Sequence, residues 1–549
     1  MHNCLRIPEI VTLIFQYVYE NDENDKQHAK TVANLARTCK AFTSPALGIL
    51  WHETTLTRFL SLLPDDSWTS KHTFSELSGH GWNPRKGMDF TRIPTPVEWE
   101  RFRLYANRVK KLEITFPKYD SKIGQRIADV HPSMICALPR YGCLPSLRHL
   151  RCAFAGLSRP FFETFLVPSL TTIEFRYHYH GHHQSFDFFA QKFMLELPTK
   201  VPRLQKLVVT IDEPSCSCET HDNIAASFSL DEPLRNLPSL RHLSHPFNIS
   251  YDTIRHLGSA TQAIEVFEST TDIGVFIKCV NGKTGLFPSL RYLGVRCDKL
   301  APFETLFAKF PPTQLHGLRV VYTNPVSPTP QELFHFFTLL VDHVSRTNFI
   351  SLQIIHDPQL GFVRPSGQLA TCDHLQPLFS LKKLEHLELG LHYPVYLNEH
   401  DDGPERVAKA WPRIKTLYLQ HHVADLTKPD MTLGQLALFA EHCPNLESLR
   451  LTLDLTTLPE PEPLNSPGNG PACSKVKNLN LMHTVTMGEH QEEPVAMILS
   501  SLFPSLKTIE FHRYPELEFW DRILEQAQTF SMIRKQERRR LWGPITNSA

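Results

Sequence analysis

From about residue 109 onward one phrase recurs: an apolar residue, two variable ones, a second apolar residue, one variable, a third apolar. It is seen in "CLPSLRHL", "FPSLRYLGV", "LKKLEHLEL", "WPRIKTLYL", "CPNLESLRL" and "FPSLKTIEF". There are thirteen copies, with middle apolar residues Leu112, Leu150, Ile173, Leu207, Leu243, Leu293, Leu318, Leu352, Leu387, Leu417, Leu449, Leu479 and Ile509. Their separations are 38, 23, 34, 36, 50, 25, 34, 35, 30, 32, 30 and 30 residues, loose at first and then close to thirty. A chain that repeats itself at this spacing stacks its units, each burying an apolar side against its neighbours. Within one copy, Leu417-Tyr418-Leu419 alternates with the period of a strand, so both leucines are expected inside and Tyr418 outside.

Parallel strands need a return path, and the segments between copies have the pattern of helices. In "TPQELFHFFTLLV", Thr329 stands as N-cap, Pro330 at the first helical position and Glu332 three residues after the cap, ahead of an apolar face. "TLGQLALFAEHC" sets Leu433, Leu436 and Ala440 at helical spacing, and Pro494 opens "EPVAMILSSLF". The repeated phrase resembles the L-x-x-L-x-L core of the leucine-rich repeat. That resemblance implies an α/β solenoid with short parallel strands on the concave face and helices outside. Many such repeats carry Asn or Cys after two further residues past the third apolar position. Here those places hold His422, Asp454 and Thr484, a divergent form, and the long interval between Leu243 and Leu293 is expected to carry a bulge or insertion.

The repeat leucines are core, so function is expected between them. The middle positions Glu388, Tyr418, Arg450, Asn480 and Glu510 should run down one exposed face as a mixed-charge column suited to a protein target. Tyr418 and Arg450 lead this set, because aromatic and Arg side chains carry a disproportionate share of binding energy.

A different pattern precedes the repeats. Pro8 and Glu9 open a helix in which Ile10, Ile14, Phe15 and Val18 are expected on one apolar side, and "ENDENDKQH" is expected as a polar loop. A second helix from about Thr31 would place Val32, Leu35, Ala36 and Cys39 together; Pro45 is expected to break the pattern before a third short segment with Ala46, Leu47, Leu50 and Trp51. Three short helices of about fifty residues bury too little apolar surface to stand alone, so something must dock on them. The residues Ile7-Pro8-Glu9-Ile10, Ile14-Phe15, Leu35-Ala36, Cys39-Lys40 and Leu50-Trp51 resemble the F-box. The resemblance implies binding of the Skp-type adaptor of a cullin-RING ubiquitin ligase, with contacts from Ile7, Pro8, Ile10, Ile14, Leu35, Cys39 and Trp51. The chain departs from that pattern in the leading Ile, the acidic insert Asn21 to Asp25, and Phe42 where Trp is frequent. The pairing of this module with leucine-rich repeats resembles fungal substrate receptors. The alternative is a helical cap that shields the first repeat, as solenoids require.

Composition excludes several classes. The 549 residues carry 57 Lys+Arg and 57 Asp+Glu, so no global field draws the chain to nucleic acid or an anionic membrane. No stretch approaches the roughly 20 apolar residues of a bilayer span, the start lacks a signal-peptide pattern, and the twelve cysteines are scattered. An intracellular protein, cytoplasmic or nuclear, is expected. Cys216, Cys218 and His221 fall short of the four ligands of a zinc site and are assigned to a surface loop. The run His178, His180, His182 and His183 has the alternation of a metal or pH-sensing strand, but follows "LTTIEF" directly and is assigned to a loop. "NGKT" lacks the glycine five residues upstream that a phosphate loop needs, since Ile277 stands there. Arg534, Lys535, Arg538, Arg539 and Arg540 fit a solvated amphipathic terminus, with a nuclear-import signal as the other reading.

The expected organisation is an F-box-like module over 1–60, a linker with a connecting helix over 61–108, in which Asp65 to Pro94 form an exposed loop, the repeat solenoid over 109–515, and a C-terminal helix and basic tail over 516–549. The connecting helix has its own capping box, Thr95, Pro96 and Glu98, and carries Trp99, Phe102 and Ala106 inward. No cofactor, metal or catalytic residue is expected. The chain reads as a non-enzymatic receptor that holds the Skp-type adaptor, and through it a cullin scaffold, at one end and a protein substrate on its repeats. The other reading is a scaffold whose N-terminal helices only cap the array.

Overall fold

A computed structural model describes residues 5, 7–20, 25–69, 72–74, 85–114, 119–120, 125–126, 129–130, 138, 144–155, 162–178, 193–212, 230–246, 248–259, 263–281, 286–309, 314–357, 370–391, 393, 395–397, 402–421, 431–455, 475–481, 492–510 and 517–542. The candidate loops at Cys216, Cys218 and His221, at His180, His182 and His183, and at 282–284 lie outside the described residues, as do His422 and Thr484. The chain divides into two compact units, Met1–Ile264 and Glu265–Ala549.

In each unit the strands lie side by side, parallel, in chain order. The first unit has Glu53–Thr55, Lys111–Ile114, His149–Ala155, Thr172–His178, Lys206–Asp212 and His242–His245. The second has Val266–Asp272, Tyr292–Cys297, Gly317–Tyr322, Ser351–His356, His386–Leu391, Thr416–His421, Ser448–Arg450, Asn478–Asn480 and Thr508–Glu510. Each of the thirteen middle apolar residues sits on one of these strands, and they pair with one another. Leu112 stands beside Leu150, then Ile173, Leu207 and Leu243 in the first unit. In the second, Leu293, Leu318, Leu352, Leu387, Leu417, Leu449, Leu479 and Ile509 form one continuous row. The first apolar position of each copy is buried as well, from Val109 through Leu384, Ile414 and Leu446 to Leu506. Register is fixed because a slip by one residue would turn every one of these side chains to the other face.

Two rungs escape the phrase. Thr54 pairs with Leu112 on a first strand whose reading is Trp51-x-x-Thr54-x-Leu56, and Phe267 pairs with Leu293 on a strand whose third position is Ser269. The long interval after Leu243 therefore holds an inserted unit, and its strand carries the expected irregularity, a register shift between Glu268 and Asp272 against the next strand; at its polar third position Ser269 Oγ and Thr271 Oγ1 share a hydrogen bond at 2.7 Å.

Helices return the chain and cover one side of the strands. The capping boxes at Thr95/Glu98 and Thr329/Glu332 are both formed. In the second unit Trp411 is fully buried, donates from its indole Nε1 to Leu378 O at 3.1 Å and meets Phe379 edge-on. The thiol of Cys443 behind it bonds Ala408 O at 3.4 Å, which makes it a packing group. The C-terminal helix Leu517–Trp542 packs on Glu492–Leu502 in the same unit.

At the N-terminus α1 (Pro8–Glu20), α2 (Asp25–Thr38) and α3 (Lys40–Leu50) form a bundle around Val11, Phe15, Val32, Ala46 and Leu50. Three expectations change. The end of the expected polar loop, from Asp25 to His28, is already helical. Pro45 lies inside α3 and does not end it: it forfeits one backbone bond, while Ala46 and Leu50 stay buried on the inner face. The inward face of α1 is set by Val11 and Phe15, so Ile14 points out.

Between bundle and repeats lie α4 (Leu56–Leu60) and α5 (Pro96–Ala106). Part of the stretch Asp65 to Pro94, expected as a loop, forms strands: Trp68 pairs with Phe90, His72 with Lys86 and Phe74 with Arg85, all antiparallel. These short polar strands carry no apolar alternation by which to read them. Arg92 ties their end to α5, with Nη2 bonded to Asp66 Oδ1 at 2.8 Å and to Glu98 Oε1 at 2.7 Å. That fork and the Thr95 backbone hold the Glu98 carboxyl down to about 2.

Candidate functional site

The described residues show three surfaces able to meet another molecule. The first is the outer side of α1. With Val11 and Phe15 turned into the bundle, where Phe15 meets Phe42 edge-on at 5.2 Å, the helix exposes Ile7 (45 %), Leu13 (66 %), Ile14 (42 %) and Tyr17 (70 %). Residues three and four apart share a helix face, so Leu13 and Tyr17 lie together, with Ile14 at their flank three residues before Tyr17. Of the sequence-based adaptor contacts, Ile7, Pro8 and Ile14 are exposed, whereas Ile10, Leu35 and Cys39 are half-buried. Leu13 and Tyr17 were not singled out by the motif, although their spacing of four would have shown them.

Trp51, the last of these contacts, is also half-buried. It is the first apolar residue of the first rung, its ring 4.9 Å from that of Tyr105 of α5 in a tilted contact, 6.2 Å from Phe59 and under the Arg58 guanidinium at 5.5 Å. Its ring joins α3 to the repeats, and Arg108 reinforces the joint by donating to Ser44 O at 3.1 Å.

The second surface is the open face of the first unit's strands. A concavity of about 260 Å³ is lined there by Glu53, Lys111, Glu113, His149, Arg151, Thr172, Glu174 and Lys206. Charges on neighbouring rungs satisfy each other. Glu174 accepts from Arg151 Nε at 3.0 Å and from Lys206 Nζ at 2.7 Å, and Lys111 faces Glu53 at 3.5 Å. Burial would raise the Glu174 carboxyl, but the bonds from Lys206 and Arg151 outweigh it and hold it below the usual range. His149 is pushed down by burial and then by Lys111, so it is neutral near pH 7.

The third surface is the open face of the second unit. Strand register places Glu388, Tyr418, Arg450, Asn480 and Glu510 in one row, as the alternation predicts. The row continues upstream through Gln353, Arg319, Gly294 and Glu268, which the sequence reading did not include. Tyr418 lies under the Arg450 guanidinium, 4.6 Å from its carbon, and its hydroxyl is 2.7 Å from Ser448 Oγ. Asn480 differs from expectation: it is 6 % exposed, with Nδ2 donating to Glu510 Oε2 at 2.7 Å, so it orients Glu510 and offers little surface of its own. Glu388 is half-buried, and burial raises its carboxyl against the pull of Arg450 and Arg319. Tyr292 adds an aromatic wall. Its ring passes over Gly317, where a Cβ would lie 2.4 Å from the ring, and its hydroxyl donates to Gln353 Oε1 at 3.4 Å.

No group of three or more His, Cys, Asp or Glu among the described residues is placed to hold a metal. No helix among them is long and apolar enough to cross a membrane. No protein-family model and no curated protein matches the chain. Among solved structures, it is similar to one described as a crystal structure of a Rad7 and Elc1 complex in yeast, with 13% identity, 75% of this chain and 78% of that chain covered, and a TM-score of 0.35. A likeness at that level carries no inference about residues or partners.

Proposed function

We propose that the chain is a substrate receptor of a Skp-cullin-F-box type ubiquitin ligase: α1–α3 engage the Skp-type adaptor, and the open faces of the repeat strands hold a protein target. The observation that carries this reading is the outer side of α1. A helix needs one apolar side to join a bundle, and α1 has that in Val11 and Phe15; it then presents Leu13 and Tyr17 on the opposite side, with Ile14 and the preceding Ile7 exposed at the flank. A contiguous exposed apolar patch marks an interaction site in a folded protein. The receptor does no bond chemistry. It holds target lysines near a charged enzyme, turning a bimolecular encounter into a nearly intramolecular one.

The capping reading has its own support in Trp51 and Arg108, which bind α3 to α5 and to the approach of the first repeat. A cap accounts for those contacts and for the bundle core, but leaves the outer side of α1 without a role. Co-expression of the full chain with a Skp-type adaptor separates the two. The receptor reading expects a one-to-one complex by size exclusion and mass; a monomer indifferent to the adaptor would leave only the cap.

A further inference from the structure

The open row of the second unit has a charge order that its leucines do not require. Along nine consecutive strands it runs Glu268, Gly294, Arg319, Gln353, Glu388, Tyr418, Arg450, Asn480 and Glu510. Every second position is charged and the sign alternates: acid, base, acid, base, acid. Strands in a sheet are about 4.7–4.9 Å apart, so the charges recur about every 9.5 Å.

At this spacing the ion pairs between successive charges are long. Arg319 reaches Glu268 only at 4.0 Å and Arg450 reaches Glu510 only at 4.0 Å. Glu388, in the centre, has no hydrogen bond or ion pair with any described residue. The first unit shows the contrast, with Glu113, Arg151 and Glu174 on adjacent rungs and bonds of 3.0 and 2.7 Å on Glu174. A half-buried carboxylate without a donor is costly unless a partner supplies one.

We propose that this face binds a protein segment in an extended polyproline II conformation, laid across the strands, with charges of alternating sign at every third residue and a Lys or Arg seated on Glu388. The inference rests on reading the repeats as the target-binding part. A polyproline II helix rises about 3.1 Å per residue with three residues per turn, so one side recurs at about 9.3 Å. Other conformations do not keep step. Same-face residues of a β-strand recur at about 6.6–6.8 Å, and two turns of an α-helix span about 10.8 Å, which drifts by roughly 5 Å over the four intervals of the row. Such segments dock on aromatic walls, and Tyr418 and Tyr292 supply these on either side of Glu388, the second seated in the space that Gly317 leaves.

The test uses the full chain and synthetic peptides. The first is a thirteen-residue proline frame with Lys at the first, seventh and last positions and Glu at the fourth and tenth. The second is its isomer with the three Lys and the two Glu in separate blocks. The third is an Ala-based helix with the same charges seven residues apart. Isothermal titration should show the alternating peptide binding at least tenfold tighter than the blocked isomer. Glu388→Gln should weaken it about tenfold, and Glu388→Lys should prefer the version with Glu in the central place. Equal binding of the two proline isomers overturns the inference. Tighter, Glu388-dependent binding of the helical peptide overturns the conformation and leaves target binding standing. Binding of none of the three, with Glu388→Gln folded by circular dichroism, counts against the inference and against this face as the target site.

Discussion

The outer side of α1 gives the sharpest test, because its residues can be removed without disturbing the bundle. Full burial of a Leu or Ile side chain is worth about 1.5–3 kcal/mol. Leu13 leaves 66 % of itself and Ile14 42 % in solvent, so covering both returns roughly 1.6–3.2 kcal/mol on that scale. Leu13→Ala with Ile14→Ala keeps only a methyl at each site and should forfeit most of this, about 1.4–2.8 kcal/mol, or about a 10- to 100-fold rise in the adaptor Kd. Alanine is the best helix former, so α1 itself should melt no earlier than in the parent. Phe15→Ala is the control with the opposite profile: a fully packed ring is lost, at about 3–5 kcal/mol of stability. Titration calorimetry against the purified adaptor, paired with thermal melts, reads both. A rise of less than threefold in Kd for the double variant, with the parent binding tightly, would refute the placement of the adaptor on this side.

Leu417→Ala should cost about 2–5 kcal/mol of unfolding free energy as a buried rung side chain, whereas Tyr418→Ala on the open side should cost about 0.5–2 kcal/mol through its contact with Arg450; denaturant titration tells them apart. Thr95→Ala removes the cap of α5 and should cost about 0.5–2 kcal/mol, visible as faster hydrogen exchange in the first turn of that helix. The carboxyls of Glu174 and Glu388 should act in opposite senses on pH. The folded value of Glu174 is lowered, so its contribution is present above the unfolded value of about 4.3 and lost as pH falls through the folded one; Glu174→Gln should lower the Tm at pH 7 and match the parent in acid. The folded value of Glu388 is raised, so stability is greatest below about 4.3 and falls as pH rises through the folded value; Glu388→Gln should raise the Tm at pH 7 and lose that advantage in acid.

Legibility in the sequence followed the cost of error. Twelve of the thirteen middle apolar residues are buried core side chains, with Ile509 at the last strand half-buried, and each is found on its rung with the expected neighbours. Thr54 and Phe267 were missed because their rungs break the pattern with polar residues, Thr54 in the middle place and Ser269 in the third, which the structure accommodates by local hydrogen bonds. Pro45 misled because a single lost backbone bond is cheaper than unpacking Ala46 and Leu50. The small strands around Arg85–Phe90 are held by pairing and by the Arg92 fork, neither of which leaves a periodic trace. On the open side, alternation fixed which residues share the row but not how deep each sits: Asn480 is buried because its amide turns sideways to Glu510. Trp51 shows that one residue can satisfy two patterns, the end of a helical module and the start of a repeat.

That double use of Trp51 has a mechanical consequence. Only Trp51 and His52 separate the end of α3 from the strand Glu53–Thr55. Two residues leave no tether, whereas a flexible linker of ten would let its ends wander over about 15–20 Å. Anything seated on α1 is therefore aimed at the first unit by a bracket, not tethered by a leash. Inserting a few Gly-Ser residues after Trp51 would keep the outer side of α1 and the open strand faces while releasing the joint that Trp51 and Arg108 make, so distance itself becomes a variable that can be set by engineering.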